Sequence, residues 1–477
     1  KVKFTSLVKW SFMSAFQQKF YSFLPGAPTT DQVDLVERME RFLFQNAERA
    51  GFIIRGYAGT GKTTAIAAMI KTFPSFQLKS VLLAPTGRAV KVLSNFSKKP
   101  AFTIHKKIYQ SERGKDGQTH FKLGANLHTN TVFIIDEASM ISDGGASEQS
   151  LLDDLIEYVY GGKNCRLVFI GDIAQLPPVG KLLSPALDPK YLMANYYLKL
   201  KGVELSQVMR QASESGILHN ATLIRNQTLE EKPIIKFELD RFDDIKRIDG
   251  LELEDELHTC FSKYGADDTI VITRSNKRAN IFNQQIRVRI KDLDDEIATG
   301  DYLMVVKNNY YWLDEKSPVS FIANGDVAEI MGMGNIEEMY GFRFLNATVR
   351  LIDYPQLQSI DVKLLLDSIH SEAPSLTKED SQRFFETVME DYAEVANKRI
   401  KIELLKKNPY FNALQVKFGY AVTCHKSQGG QWKAVFVDQG YLTEEMLNTE
   451  YARWLYTAVT RATERLYLVN FNDQFFE

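Results

Sequence analysis

Short apolar runs alternate along the chain with longer stretches whose apolar positions recur at helical spacing. In the first part the runs are Gly51–Arg55, Val81–Ala84, Val132–Ile135 and Leu167–Ile170. Around them the spacing predicts helices: one started by Thr30 or Asp31 and continuing to about Ala50, one over Lys62–Thr72 and one from Arg88. A continuous apolar run suits a strand buried on both faces, and strands alternating with helices predict a parallel sheet clothed by helices. A second set repeats the pattern, with strands at Thr269–Thr273, Ala434–Asp438 and Arg465–Val469 and helices at Asn276–Ile290 and Thr449–Ala462. The expected fold class is α/β. One parallel-sheet domain spans residues 29–215, and a second joins 216–299 to 416–477.

Two stretches break the alternation. Over 300–415, short β-like pieces (Tyr302–Val306, Asp326–Met331, Phe342–Leu351) precede a polar helical stretch, Lys378–Lys407. This reads as an insertion containing a small β-barrel. Over 111–131, Lys115-Asp116-Gly117 between β-capable segments signals a hairpin, because Asp-Gly tolerates the positive φ angles of a tight turn. Residues 1–28 carry Lys1, Lys3, Lys9 and Lys19 with no acid, and are expected to be an N-terminal arm or tag remnant.

At 44% hydrophobic and 25% charged residues the chain is neither globally disordered nor collagen-like. No run approaches the ~18 apolar residues that a membrane helix needs. Cys165, Cys260 and Cys424 are scattered, with neither a disulfide framework nor zinc spacing, so a reducing, cytoplasmic setting is expected. The 58 basic and 60 acidic residues nearly cancel, but unevenly. Arg49 to Ser111 holds eleven Lys or Arg and no acid, whereas Glu238 to Glu256 holds nine acids and three bases. A local basic field of this kind attracts phosphates.

Gly56-Tyr57-Ala58-Gly59-Thr60-Gly61-Lys62-Thr63 lies between a predicted strand and a predicted helix, with the spacing of a phosphate-binding loop. Its glycines let backbone N–H groups wrap phosphate oxygens, and the helix N-terminus adds a favourable dipole. Gly59, Thr60, Gly61, Lys62, Thr63 and Thr64 are the candidate nucleotide ligands. Lys62 is expected at the β/γ-phosphates and Thr63 on Mg2+. Asp136-Glu137 follows the run Val132–Ile135, at the strand end that overlooks the ligand crevice of such sheets. Asp136 is expected to hold Mg2+ through water, and Glu137 to deprotonate the attacking water. ATP and Mg2+ are thus the expected cofactors. After Leu167–Ile170 comes Gly171-Asp172-Ile173-Ala174-Gln175-Leu176-Pro177-Pro178-Val179, whose Gln175 can bond both a γ-phosphate and the water.

This last string resembles the third motif of superfamily 1 helicases, in the RecD-like branch that includes the phage Dda and petite integration frequency helicases. The similarity extends from about Thr29 to Val469. It implies two RecA-like domains, the first with a hairpin insertion and the second with an SH3-like barrel insertion. Thr29-Thr30-Asp31-Gln32 is similar to the adenine-reading motif, which implies a base contact for Gln32. Ala84-Pro85-Thr86-Gly87-Arg88-Ala89 and Phe102-Thr103-Ile104-His105 resemble strand-binding motifs, implying DNA contacts from Pro85, Thr86, Arg88, Thr103 and His105. Val208-Met209-Arg210-Gln211 resembles the motif with a phosphate-binding arginine, here Arg210. Ile272-Thr273-Arg274-Ser275-Asn276-Lys277, with Asn283 and Arg287, resembles the start of the second motor domain. Tyr420 to Gly429 resembles the fifth motif, which implies strand contacts from Thr423 and His425 and a nucleotide contact from Gly429. Tyr456-Thr457-Ala458-Val459-Thr460-Arg461-Ala462 resembles the sixth, which implies that Arg461 is the arginine finger reaching the γ-phosphate across the cleft. By the same resemblance the 111–131 hairpin is the wedge, with Phe121 against the first base pair.

Several of these residues have plainer readings. Thr86 and Thr103 suit helix caps, His105 suits a structural histidine, and Arg461 suits a pair with an acid on its own helix. The basic run Lys398, Arg399, Lys401, Lys406 and Lys407 suits a DNA contact or a solvated helix face equally. Two places depart from the family pattern. Gln431 stands where the family often has a ribose-contacting Glu, and Leu151–Tyr160 lacks the arginine of the petite integration frequency signature. The implied activity is an ATP-dependent DNA helicase moving 5′-to-3′ on single-stranded DNA and opening forks or partial duplexes. A monomer suffices mechanically, and no membrane is involved. An RNA helicase, separable by its use of the 2′-OH, is one alternative. A nucleotide-dependent clamp that binds without unwinding is the other, and the presence of both Glu137 and Arg461 weighs against it.

Overall fold

The computed structural model describes residues 13–476 except 46, 114–118, 145–149, 210–213, 314–316 and 318–320; the side chains of 111–113, 119–121, 398 and 399 also lie outside the described set. The first unit runs α1 (Ala15–Tyr21), α2 (Thr30–Phe44), β1 (Ala50–Gly56), α3 (Lys62–Thr72), β2 (Lys79–Ala84), α4 (Gly87–Ser97), β3 (Ala101–Thr103) and α5 (Ile104–Ile108). It continues with the hairpin β4 (Tyr109–Arg113) and β5 (Thr119–Leu123), then β6 (Thr131–Ile135), α6 (Leu151–Gly161), β7 (Arg166–Gly171), α7 (Pro189–Tyr196) and β8 (Lys199–Leu205). Six strands form a parallel sheet in the order β3-β2-β6-β7-β1-β8. Every residue of β6 and β7 is buried, which is why those segments read as unbroken apolar runs. The strand order has a chemical consequence: β6, β7 and β1 are neighbours, so the segments leaving their C-terminal ends lie side by side.

The second unit runs α8 (Gly216–Gln227), β9 (Ile245–Ile248), α9 (Leu253–Tyr264), β10 (Thr269–Thr273) and α10 (Asn276–Gln285). The barrel follows, with β11 (Tyr302–Val305), β12 (Val327–Met339), β13 (Phe342–Leu351) and β14 (Ile360–Leu365), then α11 (Asp367–His370), α12 (Lys378–Glu390), α13 (Lys398–Lys407) and β15 (Leu414–Phe418). The chain returns through β16 (Ala421–Thr423), α14 (Cys424–Ser427), β17 (Trp432–Asp438), α15 (Thr449–Val459) and β18 (Ala462–Val469). The second sheet is parallel, in the order β16-β10-β17-β18-β9, and β11 to β15 close into a barrel. Helices α12 and α13 pack on the barrel through Phe384, Val388 and Leu405 against Phe342 and Phe344.

Several expectations need correction. Residues 15–21 are no detachable arm: Phe16, Phe20 and Tyr21 of α1 are buried in the first unit's core. Helix α2 ends at Phe44 rather than near Ala50, because Ala50 pairs with Lys199 in the sheet and that tertiary pairing overrides good helix formers. Its N-cap is Thr29, one residue earlier than expected. The last helix stops at Val459, since Ala462 pairs with Trp432. The polar stretch 378–407 is two helices, and the barrel's last strand runs to Phe418, past the expected boundary at 415. The single helix expected over 276–290 is α10 followed by a π-turn at Ile286–Ile290, which carries Arg287 inward to a buried pair with Asp301 at 2.8 Å.

Candidate active site

The phosphate loop joins β1 to α3. Its Gly59 and Gly61 have φ of 74° and 79°, in the left-handed region that favours glycine. Gly61 is the N-cap of α3 and supplies no side-chain hydrogen bond, whereas α2, α4, α5, α6 and α7 are each capped by a Thr, Ser or Asp side chain. The first-turn N–H groups of α3 therefore keep their hydrogen-bonding capacity for an anion. Lys62 Nζ donates to the carbonyls of Gly56 (2.6 Å) and Tyr57 (2.8 Å) and lies 3.8 Å from Asp172 Oδ2. Thr60 is buried, its hydroxyl donating to Tyr57 O; Thr63 and Thr64 follow in the first turn of α3. Gln32, expected at the adenine, is buried at α2's capping box, its Oε1 accepting from Thr29 N and its Nε2 3.7 Å from Met209 Sδ. It reaches the loop all the same: a Cβ on Gly61 would lie 2.9 Å from that Nε2.

Asp136 and Glu137 leave β6 two strands from the phosphate loop. Asp136 is half-buried. Burial, then the neighbouring Glu137 carboxylate, push its carboxyl up to about 7, while the Glu137 N–H (2.9 Å) and Lys62 pull the other way. A carboxyl in this position gains from a cation beside it. Glu137 has φ 52°, strained for a residue with a side chain, and the strain falls on the expected catalytic base. Gln175, beyond β7, is buried, and its Oε1 has no hydrogen-bond partner in the protein. A lone buried acceptor suits an O–H donor such as a nucleophilic water. Open amides at α3, a raised carboxyl and an orphaned amide oxygen fit a nucleotide with its metal. Among the described residues no three ligating side chains form a metal cage, and Mg2+ held largely by phosphates needs none.

The second unit closes on this site. Tyr456 of α15 accepts a hydrogen bond from Ala58 N (2.8 Å) of the phosphate loop and donates to Asp172 Oδ2 (2.7 Å). Leu176 N donates to Thr457 Oγ1 (2.9 Å), and Gln428 Nε2 donates to Leu176 O (2.7 Å). Arg225 of α8 stacks on the Tyr57 ring at 4.5 Å. Sequence reasoning missed Asp172, Tyr456 and Arg225. Tyr456 stood inside a quoted motif, but nothing in the pattern says that its hydroxyl crosses the cleft.

Other expected residues are placed differently. Arg461 is buried on its own unit: its Nε donates to Thr457 O, its Nη1 to Gly430 O and its Nη2 to Thr460 Oγ1. Those bonds, rather than a pair with an acid on its own helix, occupy its guanidinium. Gly429, expected at the nucleotide, faces α4 instead: a Cβ there would lie 3.0 Å from Ala89 Cβ and 3.1 Å from Thr86 Oγ1. Asn283 pins β16, donating to Ala421 O and accepting from Ala421 N. Thr86 and Thr103 cap α4 and α5 through their hydroxyls. Arg88 stacks on Trp432 of β17 at 4.5 Å. His105 is half-buried beside Tyr109 and Phe321, and burial holds its imidazole below the ordinary value. Pro85 and Thr423 are half-buried and His425 is exposed. Arg210, the Asp-Gly turn and the Phe121 side chain lie outside the described residues, as do Lys398 and Arg399 beyond their backbone.

A phosphate loop, an acidic pair and a glutamine on adjacent strands, faced by a second parallel-sheet unit, define a two-domain ATP-driven motor. Residues 31–248 match the AAA domain family, and residues 418–469 match the UvrD-like helicase C-terminal domain family. The chain is 26% identical over 506 residues to uncharacterized protein R530 of Acanthamoeba polyphaga mimivirus, covering 92% of this chain and 98% of that protein. It is 29% identical over 310 residues to the ATP-dependent DNA helicase dda of Enterobacteria phage T4, covering 62% and 64%. It is 23% identical over 433 residues to the ATP-dependent DNA helicase Pif1 of Campylobacter jejuni, covering 86% of each. These matches support a superfamily 1 helicase of the Pif1/RecD-like kind, working as an ATP-dependent enzyme.

Proposed function

We propose that this helicase acts on DNA, translocating 5′-to-3′ along a single strand and opening the duplex ahead of it. The observation that carries the motor reading is the grip of the second unit on the segment 172–176, directly beside the phosphate loop. A ligand bound at that loop then alters the contact between the units, and hydrolysis restores it. ATP phosphates lie on the α3 amides and Lys62; Thr63 and Asp136 hold Mg2+; Glu137 takes the proton from the attacking water, oriented by Gln175. For Arg461 to act as the finger, its side chain must exchange the carbonyls of Thr457 and Gly430 for phosphate oxygens when nucleotide is bound.

The DNA reading is supported by likeness to relatives named as DNA helicases and by the basic stretch 49–111, and the polarity rests on the motif resemblance alone. The β4–β5 hairpin is the proposed wedge. The test is ATP-dependent opening of matched duplexes with a 5′ or a 3′ single-stranded tail. Only the 5′-tailed duplex is expected to open, and Glu137→Gln should lower turnover by roughly a hundredfold or more while nucleotide binding survives. Opening of the 3′-tailed duplex alone would reverse the polarity; preference for RNA would replace the substrate.

A further inference from the structure

We propose that Tyr456 is a positioning residue for ATP hydrolysis: from the second unit, its hydroxyl fixes the phosphate loop and the Gln175 segment relative to one another. This rests on the motor reading above and names the contact that carries its coupling.

The bond directions are forced. Asp172 is a buried carboxylate, an acceptor only, so the Tyr456 hydroxyl donates to it and must accept from the Ala58 N–H. One oxygen therefore ties three pieces of backbone: the phosphate loop at Ala58, the loop after β7 at Asp172, and α15. Both oxygens of the Asp172 carboxylate are engaged, since its Oδ1 accepts from Ala174 N at 3.0 Å. Asp172 Oδ2 also lies 3.8 Å from Lys62 Nζ, the amine that must move from the Gly56 and Tyr57 carbonyls to reach a phosphate. Movement of Lys62 is thus felt by the same carboxylate that Tyr456 holds.

Gln175 is three residues beyond Asp172 and one before Leu176, whose N–H and C=O are both bonded to the second unit. The segment bearing Gln175 is held by α15 at both ends, and at Leu176 also by Gln428, just past α14. Its amide therefore sits where the second unit puts it, and Tyr456 is the link that also senses the phosphate loop. A water oriented by Gln175 is in line only when the units are in register, and misplacement of a reacting group by about 1 Å costs on the order of a hundredfold in rate.

The test is steady-state ATP hydrolysis by full-length Tyr456→Phe, with and without single-stranded DNA, per active site counted by a tight-binding ATP analogue. The proposal expects kcat with DNA to fall about tenfold or more while KM for ATP stays within about threefold. Asp172→Asn supplies a second arm, and the double variant should be no slower than the slower single one, because both act through one hydrogen bond. An unchanged kcat per active site would overturn the proposal, as would a rise in KM with kcat kept or fully independent losses in the double variant. A wild-type enzyme without DNA stimulation would instead overturn the DNA-motor reading.

Discussion

Gly61 concentrates the demands on a single position. Its φ of 79° disfavours any side chain, and a Cβ there would lie 2.9 Å from Gln32 Nε2 and 3.2 Å from Met209 Sδ. Gly61→Ala strains the turn and pushes Gln32 off α2's capping box just where the α3 amides must meet phosphate. Nucleotide affinity should fall by at least about tenfold, whereas an ordinary Gly-to-Ala exchange at a helical φ is mildly stabilising. Titration of a fluorescent ATP analogue checks this, and affinity within twofold of wild type contradicts it. Positions of this kind were legible in the sequence because loop chemistry fixes residue type at fixed spacing: Lys62, Asp136, Glu137 and Gln175 all lie at the C-terminal ends of adjacent strands. Asp172 and Tyr456 were not legible as a pair. Their link spans the chain from β7 to α15, and hydrogen-bond partners at that separation leave no local pattern. Thr86 and Thr103 show the converse, since a capping hydroxyl and a strand-binding hydroxyl share one local signature.

At the scale of elements, the barrel docks on the start of α4. Asp326, just before β12, sits where a Cβ on Gly87 would lie 2.6 Å from its Oδ1, so only glycine admits the barrel this close. Asp353 lies beside it, 3.4 Å from Lys91 of α4 and otherwise unbonded. Burial, reinforced by Asp353, pushes the Asp326 carboxyl up to about 7, against hydrogen bonds from Ala323 N and the Tyr354 hydroxyl. An acid whose folded value exceeds its unfolded value of 3.8 stabilises the fold while protonated. That contribution is complete below about pH 4 and is lost as pH rises through about 7, a swing on the order of 4 kcal/mol. Asp326→Asn should remove this slope, so its stability advantage over wild type should grow between pH 4 and pH 7.5. Denaturant titrations across that range check it, and parallel curves would contradict it. The barrel was visible in the sequence as short β-like pieces. Its contact with α4 was not, because a buried acid pair looks like any two surface aspartates until the fold is closed. Helix ends failed for a related reason: Ala50 and Ala462 are good helix formers that sheet partners claim.

At the scale of the whole molecule, the two units do not meet as separate surfaces. Ala174 and Leu176 belong to the chain of the first unit, yet they are buried in the second unit's core with Trp432, Tyr456 and Val459, and Tyr57 and Ala58 pack against the same cluster. The segment that carries Gln175 is therefore both a catalytic loop and a core element of the opposite unit. Leu176→Ala leaves both main-chain bonds of residue 176 chemically possible while removing the apolar anchor. A buried Leu-to-Ala change costs about 2–5 kcal/mol, and here the loss falls on the junction rather than within either sheet. Thermal unfolding of wild type should therefore be more cooperative than that of the variant, whose transition should broaden or split as the units melt apart. ATP turnover should fall in the folded variant, because the amide of Gln175 loses its register with the phosphate loop. Scanning calorimetry of both proteins, with hydrolysis assayed below the first transition, checks the two consequences together. A variant that melts in one sharp step and hydrolyses ATP at the wild-type rate would mean that the hydrogen bonds to Thr457 and Gln428 hold the segment without its side chain.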